Sequence, residues 1–174
     1  FVASWVYELP FGSGQKYLAS ANRLVGFLLG GWAVGGITTL SSGGVVNLTV
    51  RGTPSNTGNP DRPNVLRPFG LSAGERTIQR WFDTSAFVAN APFTYGNAGR
   101  NLIQAPGSVN FDLALFKEFR VTETKRFQFR WEAFNAFNTP QFDAPNVQVG
   151  NPNFGQISAA SRPRNQQFGL KFIF

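Results

Sequence analysis

Gln167-Phe168-Gly169-Leu170-Lys171-Phe172-Ile173-Phe174 is the stretch whose reading decides the fold. Counting back from the last residue, Phe174, Phe172, Leu170 and Phe168 fall on one face of an extended strand. Ile173, Lys171, Gly169 and Gln167 fall on the other. Side chains alternate across a strand, so this period of two predicts a β-strand with one greasy and one mostly polar side. A carboxylate directly after Phe is unusual for a soluble core strand, whose termini tend to fray.

Four more segments follow the same rule. In 1–9, Phe1, Ala3, Trp5, Tyr7 and Leu9 oppose Val2, Ser4, Val6 and Glu8. In 32–40, Trp32, Val34, Gly36, Thr38 and Leu40 oppose Ala33, Gly35, Ile37 and Thr39. That strand is expected to run on past Ser41-Ser42-Gly43-Gly44 into 45–50, with the two glycines as a bulge or bend. In 109–121, Val109, Phe111, Leu113, Leu115, Phe119 and Val121 share a face that only Lys117 interrupts. The opposite face carries Asn110, Asp112, Ala114, Phe116, Glu118 and Arg120. In 125–137, Phe127, Phe129, Trp131, Ala133 and Phe137 share a face, with Asn135 as its polar interruption. Thr122-Glu123-Thr124 is short enough to join the last two segments as an antiparallel hairpin. Setting Arg120 against Arg126 puts Glu118 opposite Gln128 and within diagonal reach of Arg126 and Arg130.

Composition narrows the function. The 174 residues include 19 Phe but no Met, Cys or His, and carry a formal charge of +7. Without Cys there is no disulfide framework and no thiolate metal site, and without His the commonest general base and metal ligand are gone. Acidic residues such as Asp83, Asp112, Glu118, Glu123, Glu132 and Asp143 show no spacing suited to a two-carboxylate hydrolase. A serine nucleophile would lack a recognisable partner. Enzymatic activity, cofactors and metals are therefore not expected. The basic residues are scattered and form no helical stripe, which argues against nucleic acid. Gly12-Ser13-Gly14-Gln15-Lys16 lacks the Gly-Lys-Ser/Thr ending of a phosphate loop and reads as a turn. Gly96-Asn97-Ala98-Gly99-Arg100-Asn101 fits either a ligand loop or a pair of turns. Trp81, Phe82 and Phe87 suit sugar stacking, but aromatics in a long loop more often pack that loop on itself.

Periodicity leaves two settings open. A soluble protein turns the greasy face into a core; an outer-membrane barrel turns it to lipid and the charged face to the lumen. Connection lengths favour the barrel. The turn at 122–124 is short, whereas 51–108 and 138–164 are long, and membrane barrels have short periplasmic turns and long outer loops. If Phe174 ends in the periplasm, both long connections fall outside and the short turn falls inside. A structureless loop as long as 51–108 would count against a compact soluble domain. The 10–31 connection is long for a periplasmic turn; residues 16–29 hold enough Ala and Leu for a short helix there. No run approaches the roughly 20 apolar residues of a membrane helix.

Two resemblances follow from these residues. The terminal octapeptide resembles the insertion signal of bacterial outer-membrane barrels, with Gln167, Gly169, Phe172 and Phe174 in its polar, glycine, hydrophobic and aromatic positions. Longer stretches match one family in order: Tyr7-Glu8-Leu9-Pro10-Phe11-Gly12, Gly30-Gly31-Trp32, Leu40-Ser41-Ser42-Gly43, Trp81-Phe82-Asp83-Thr84-Ser85-Ala86-Phe87 and Gly96-Asn97-Ala98-Gly99-Arg100-Asn101. Phe111-Asp112-Leu113, Phe116-Lys117 and Glu132-Ala133-Phe134-Asn135-Ala136-Phe137-Asn138 continue the series. Together they resemble the C-terminal barrel portion of TonB-dependent outer-membrane receptors of the Oar-like type that carry a carboxypeptidase regulatory domain.

The resemblance implies an all-β, antiparallel fold: about five last strands of a large transmembrane barrel, with long extracellular loops. Residues 1–174 would be the C-terminal fragment of that barrel, without its plug domain or earlier strands; the start at Phe1, with no signal-type run, fits this expectation. Implied partners are outer-membrane lipid, the barrel-assembly machinery and, through the missing N-terminal part, TonB. The substrate is unnamed. In this setting Phe111, Leu113, Leu115, Phe127, Phe129, Trp131, Phe168 and Leu170 face lipid in a Gram-negative-type envelope. The alternative is a soluble β-sandwich or adhesin-like binding module.

Overall fold

A computed structural model describes every residue except Ser13, Ala21 and Glu123. In chain order the elements are β1 (Val2–Glu8), α1 (Arg23–Leu29), β2 (Trp32–Ser41), β3 (Val45–Val46), β4 (Thr49–Val50) and β5 (Asn64–Val65). A 3-10 turn (Thr84–Ala86) then leads into β6 (Phe87–Val88), β7 (Ile103–Gln104), β8 (Ser108–Arg120), β9 (Arg126–Phe134), β10 (Gln148–Val149) and β11 (Asn165–Ile173). They divide into two compact units, 1–41 with 109–140 and 162–174, and 42–108 with 141–161.

The first unit is one sheet in the order β1-β2-β8-β9-β11. Its register is the one that alternation requires. Arg120 lies opposite Arg126 and Glu118 opposite Gln128, as the short hairpin predicts. Trp5 pairs with Gly36 and Tyr7 with Val34, while Leu170 faces Phe129 and Phe172 faces Phe127. A slip of one residue would send the Phe and Leu side chains of the greasy face to the polar one, so burial or solvation of either face fixes the pairing. The turn closes through the Val121 and Thr122 amides, both donating to the Lys125 carbonyl, and the Lys125 amide donating to Thr122 Oγ1; Glu123 lies outside the described residues.

Three expectations are corrected here. The strand starting at Trp32 stops at Ser41 and does not continue to residue 50; 45–46 and 49–50 belong to the other unit. Gly43 accounts for the break, because a Cβ there would collide with the Ala105 carbonyl. Only glycine allows so close a backbone approach. The strand starting at residue 126 ends at Phe134, so Asn135 does not interrupt a greasy stripe. Asn135 instead adopts a left-handed turn with φ of 50°, donating its amide to Asp112 Oδ1 at 2.8 Å. Asn tolerates that conformation better than most residues because its side chain can bond locally; here it bonds the Thr139 backbone.

The third correction concerns the long connections, which are not structureless. Residues 42–108 and 141–161 build a unit around Leu48, Val50, Phe82, Ala86, Phe87, Ile103 and Val149. Phe82, Phe87 and Phe154 meet edge to face at 5.2–6.0 Å. These rings pack the connection on itself, and that is the fate of Phe82 and Phe87. Its short ladders are β3 with β7 and β5 with β6, both antiparallel, and β4 with β10, which is parallel. The parallel pair departs from the all-antiparallel expectation.

Among the described residues no helix is long and apolar enough to cross a membrane, which says nothing about a strand-built barrel.

Candidate functional site

The two faces of the five-stranded sheet are the chemically distinctive surface of the chain. On one, Phe111, Leu113, Leu115, Phe127, Phe129, Trp131, Phe168 and Leu170 come together, as their spacing predicts. Leu115 and Phe168 both lie opposite Trp131, and Leu113 lies opposite Ala133. Phe127 packs on Phe172 with centroids 4.7 Å apart, Phe111 meets the Phe137 ring at 5.2 Å, and Phe129 meets Trp32 edge-on at 6.3 Å. Trp131 Nε1 donates to Gln166 Oε1.

Away from the patch around Lys117 and Phe119, this face lacks a protein cover. Phe168 is 71% and Leu170 70% exposed. Among the described residues of the unit, Ala133 is the only buried apolar side chain. The unit of 42–108 and 141–161, by contrast, hides its apolar residues in the core already described. One chain thus contains a packed core and, separately, a greasy sheet face of the kind a soluble monomer rarely leaves in water.

The other face carries the charge. Arg130 Nη2 bonds Glu132 Oε1 at 2.8 Å, and its guanidinium lies 5.0 Å from the Phe116 ring centroid. Glu132 also accepts from Gln167 Nε2. Arg130 therefore takes its acidic partner from its own strand and not from Glu118 across the hairpin. Val6, Ile37, Phe116 and Phe134, with Asp112, Arg130 and Glu132, line a shallow hollow of about 440 Å³ on this face.

The four expected signal positions lie at the last strand. Gln167 bonds Glu132, Gly169 sits opposite Arg130, Phe172 opposite Phe127, and Phe174 stacks on Phe172 at 5.7 Å while staying exposed.

Lys117 is the residue whose role the sequence left unread. It lies in the middle of the greasy stripe yet is only 1% exposed. α1 covers it. Its Nζ donates to the carbonyls of Leu28 (2.9 Å) and Gly30 (2.6 Å) and sits 4.8 and 4.9 Å from the Trp32 and Phe119 ring centroids. The last carbonyls of a helix have no partner within it, and a cation there also meets the negative end of the helix dipole. The legible signal was a lone Lys in an apolar stripe with an aromatic two residues on.

In the second unit, Gly96-Asn97-Ala98-Gly99-Arg100-Asn101 serves packing. The Asn97 side chain bonds the backbone of Val65, Ala98 is buried, and Asn101 takes a positive φ of 57°. Asp61, which carried no sequence signal, is buried here with Ser55 and Asn90. Hydrogen bonds from the Ser55 hydroxyl and amide hold its carboxyl below the usual range, against the opposing effect of burial.

A model of the outer membrane beta barrel domain family matches residues 1–167. The match therefore makes no use of Phe168 to Phe174. No curated protein and no solved structure matches the chain. A sheet with one uncovered apolar face and one charged face is what such a domain requires. The chain belongs to the outer membrane beta barrel domain family, and its place is the outer membrane.

Proposed function

We propose that this chain is the C-terminal part of the barrel of a TonB-dependent outer-membrane receptor that takes up a bulky substrate. The observation that carries the membrane orientation is the apolar face left bare outside the patch under α1, with Phe168 and Leu170 exposed. From Val109 to Phe119 the strand advances ten steps, about 33 Å. At a barrel tilt near 40° this rises about 25 Å, the height of an outer-membrane apolar band. Phe111, Leu113, Leu115, Phe127, Phe129, Trp131, Phe168 and Leu170 then face lipid, and the Arg130–Glu132 side faces the lumen.

With Phe174 at the periplasmic end, the connections after β2 and β9 are extracellular and those after β1 and β8 are periplasmic. The folded segments 42–108 and 141–161 then stand on the side where substrate arrives. The ordered motif series from Tyr7 to Asn138 supports the receptor type. We assign the chain no catalytic role, cofactor, metal or nucleic-acid partner; its partners are lipid, the barrel-assembly machinery and TonB, the last through segments outside this chain. A soluble sandwich or adhesin-like module, the alternative open at the level of periodicity, is set aside by the family match.

The experiment is affinity purification of the intact protein from detergent-solubilised envelopes, followed by detection of TonB. Enrichment of TonB is expected, and its loss when the N-terminal contact box is deleted. An intact receptor-sized barrel that never retains TonB would reject the receptor assignment and leave only the barrel.

A further inference from the structure

We propose that α1 is a membrane-interface anchor, seated in the periplasmic leaflet against the outside of the barrel wall and latched there by Lys117. This rests on the lipid-facing reading of the apolar face. Two surfaces of α1 are distinguished by their contacts. Its inner side packs on that face: the Phe27 and Phe119 rings lie 5.2 Å apart, and the Leu28 carbonyl accepts from both Trp32 Nε1 and Lys117 Nζ. Its outer side is greasy and bare, with Leu24 74%, Leu28 59% and Leu29 50% exposed.

Phospholipid is the occupant that the surroundings fit. α1 rests on the apolar face whose remainder is bare, and its own outer side is apolar as well. The connection from residue 10 to residue 31 carries Lys16 and Arg23 and no acidic residue. A short, almost wholly apolar helix with Arg23 at its start and Lys16 in the segment before it suits an anionic interface, where the hydrocarbon takes the leucines and the headgroups take the cations. A protein partner would need acidic groups to match these cations. Lys117 lies three residues from the end of β8, about 10 Å along the strand, and so near the expected interface. An ammonium on a lipid-facing wall is costly; the helix carbonyls and two aromatic rings give it a local shelter.

The chain contributes no cysteine, so single labels are placed cleanly. In the intact protein, reconstituted into phosphatidylethanolamine–phosphatidylglycerol vesicles with brominated acyl chains, Leu24→Cys and Leu170→Cys each carry a nitrobenzoxadiazole fluorophore. Both probes should be quenched severalfold more by bromolipid than by aqueous iodide. Lipid quenching at position 170 with iodide quenching at position 24 overturns the anchor while the barrel wall stands. Iodide quenching at both positions removes the lipid-facing reading itself, and the anchor with it.

Discussion

Asp61 shows how a residue without sequence signature becomes structural. Its carboxylate accepts from the Ser55 amide and hydroxyl, both at 2.6 Å, and those bonds depress its pKa below the ordinary 3.8. A carboxylate with a depressed folded pKa contributes stability above its unfolded pKa and loses it as pH falls through the folded value. The unit of 42–108 and 141–161 should therefore hold at neutral pH and loosen below about pH 4. Asp61→Asn should lower its resistance to protease at pH 7 and flatten the acid loss; equal acid sensitivity in both proteins would dismiss the role. Nothing in the local sequence marks Asp61, because Ser55 and Asn90 reach it only after the chain folds back. Lys117 was visible as an irregularity, but its partners are backbone carbonyls, which carry no sequence signature.

At the scale of elements, alternation was enough to place the five long strands, and the short 122–124 turn added the hairpin register; their order in the sheet came from the structure. It could not place their ends. Residues 45–50 alternate as well as any strand, yet the close approach of Gly43 to Ala105 turns the chain away. Asn135 continues the period but is bonded to Asp112 in a left-handed turn. The face assignment yields a direct test. Leu115→Lys puts an ammonium on the apolar face opposite Trp131, near the middle of the span from Val109 to Phe119, at a cost of about 2–4 kcal/mol at mid-bilayer. Heat-modifiable, protease-resistant barrel should disappear from the outer membrane. Gln128→Lys, on the charged face opposite Glu118, should assemble normally. Equal assembly of the two variants would show that the wall points the other way.

For the molecule as a whole, the last strand is expected to direct assembly. Phe174 is 88% exposed and stacks only on Phe172, so its removal leaves no cavity. Deleting Phe174 should nonetheless reduce outer-membrane levels severalfold with synthesis unchanged, because an exposed terminal aromatic is free to be recognised. Normal levels in fractionated cells would defeat the signal reading. The sequence by itself determined the five long strands and their two faces, because a period of two is local information carried by each strand separately; it left the membrane setting open, and the family match supplied that. Only the tertiary structure decided that the long connections form a cored unit of their own and that α1 shelters Lys117. Those outcomes depend on contacts between residues dozens of positions apart, such as Leu28 with Lys117 and Val50 with Val149. Such contacts leave no periodic trace in the chain.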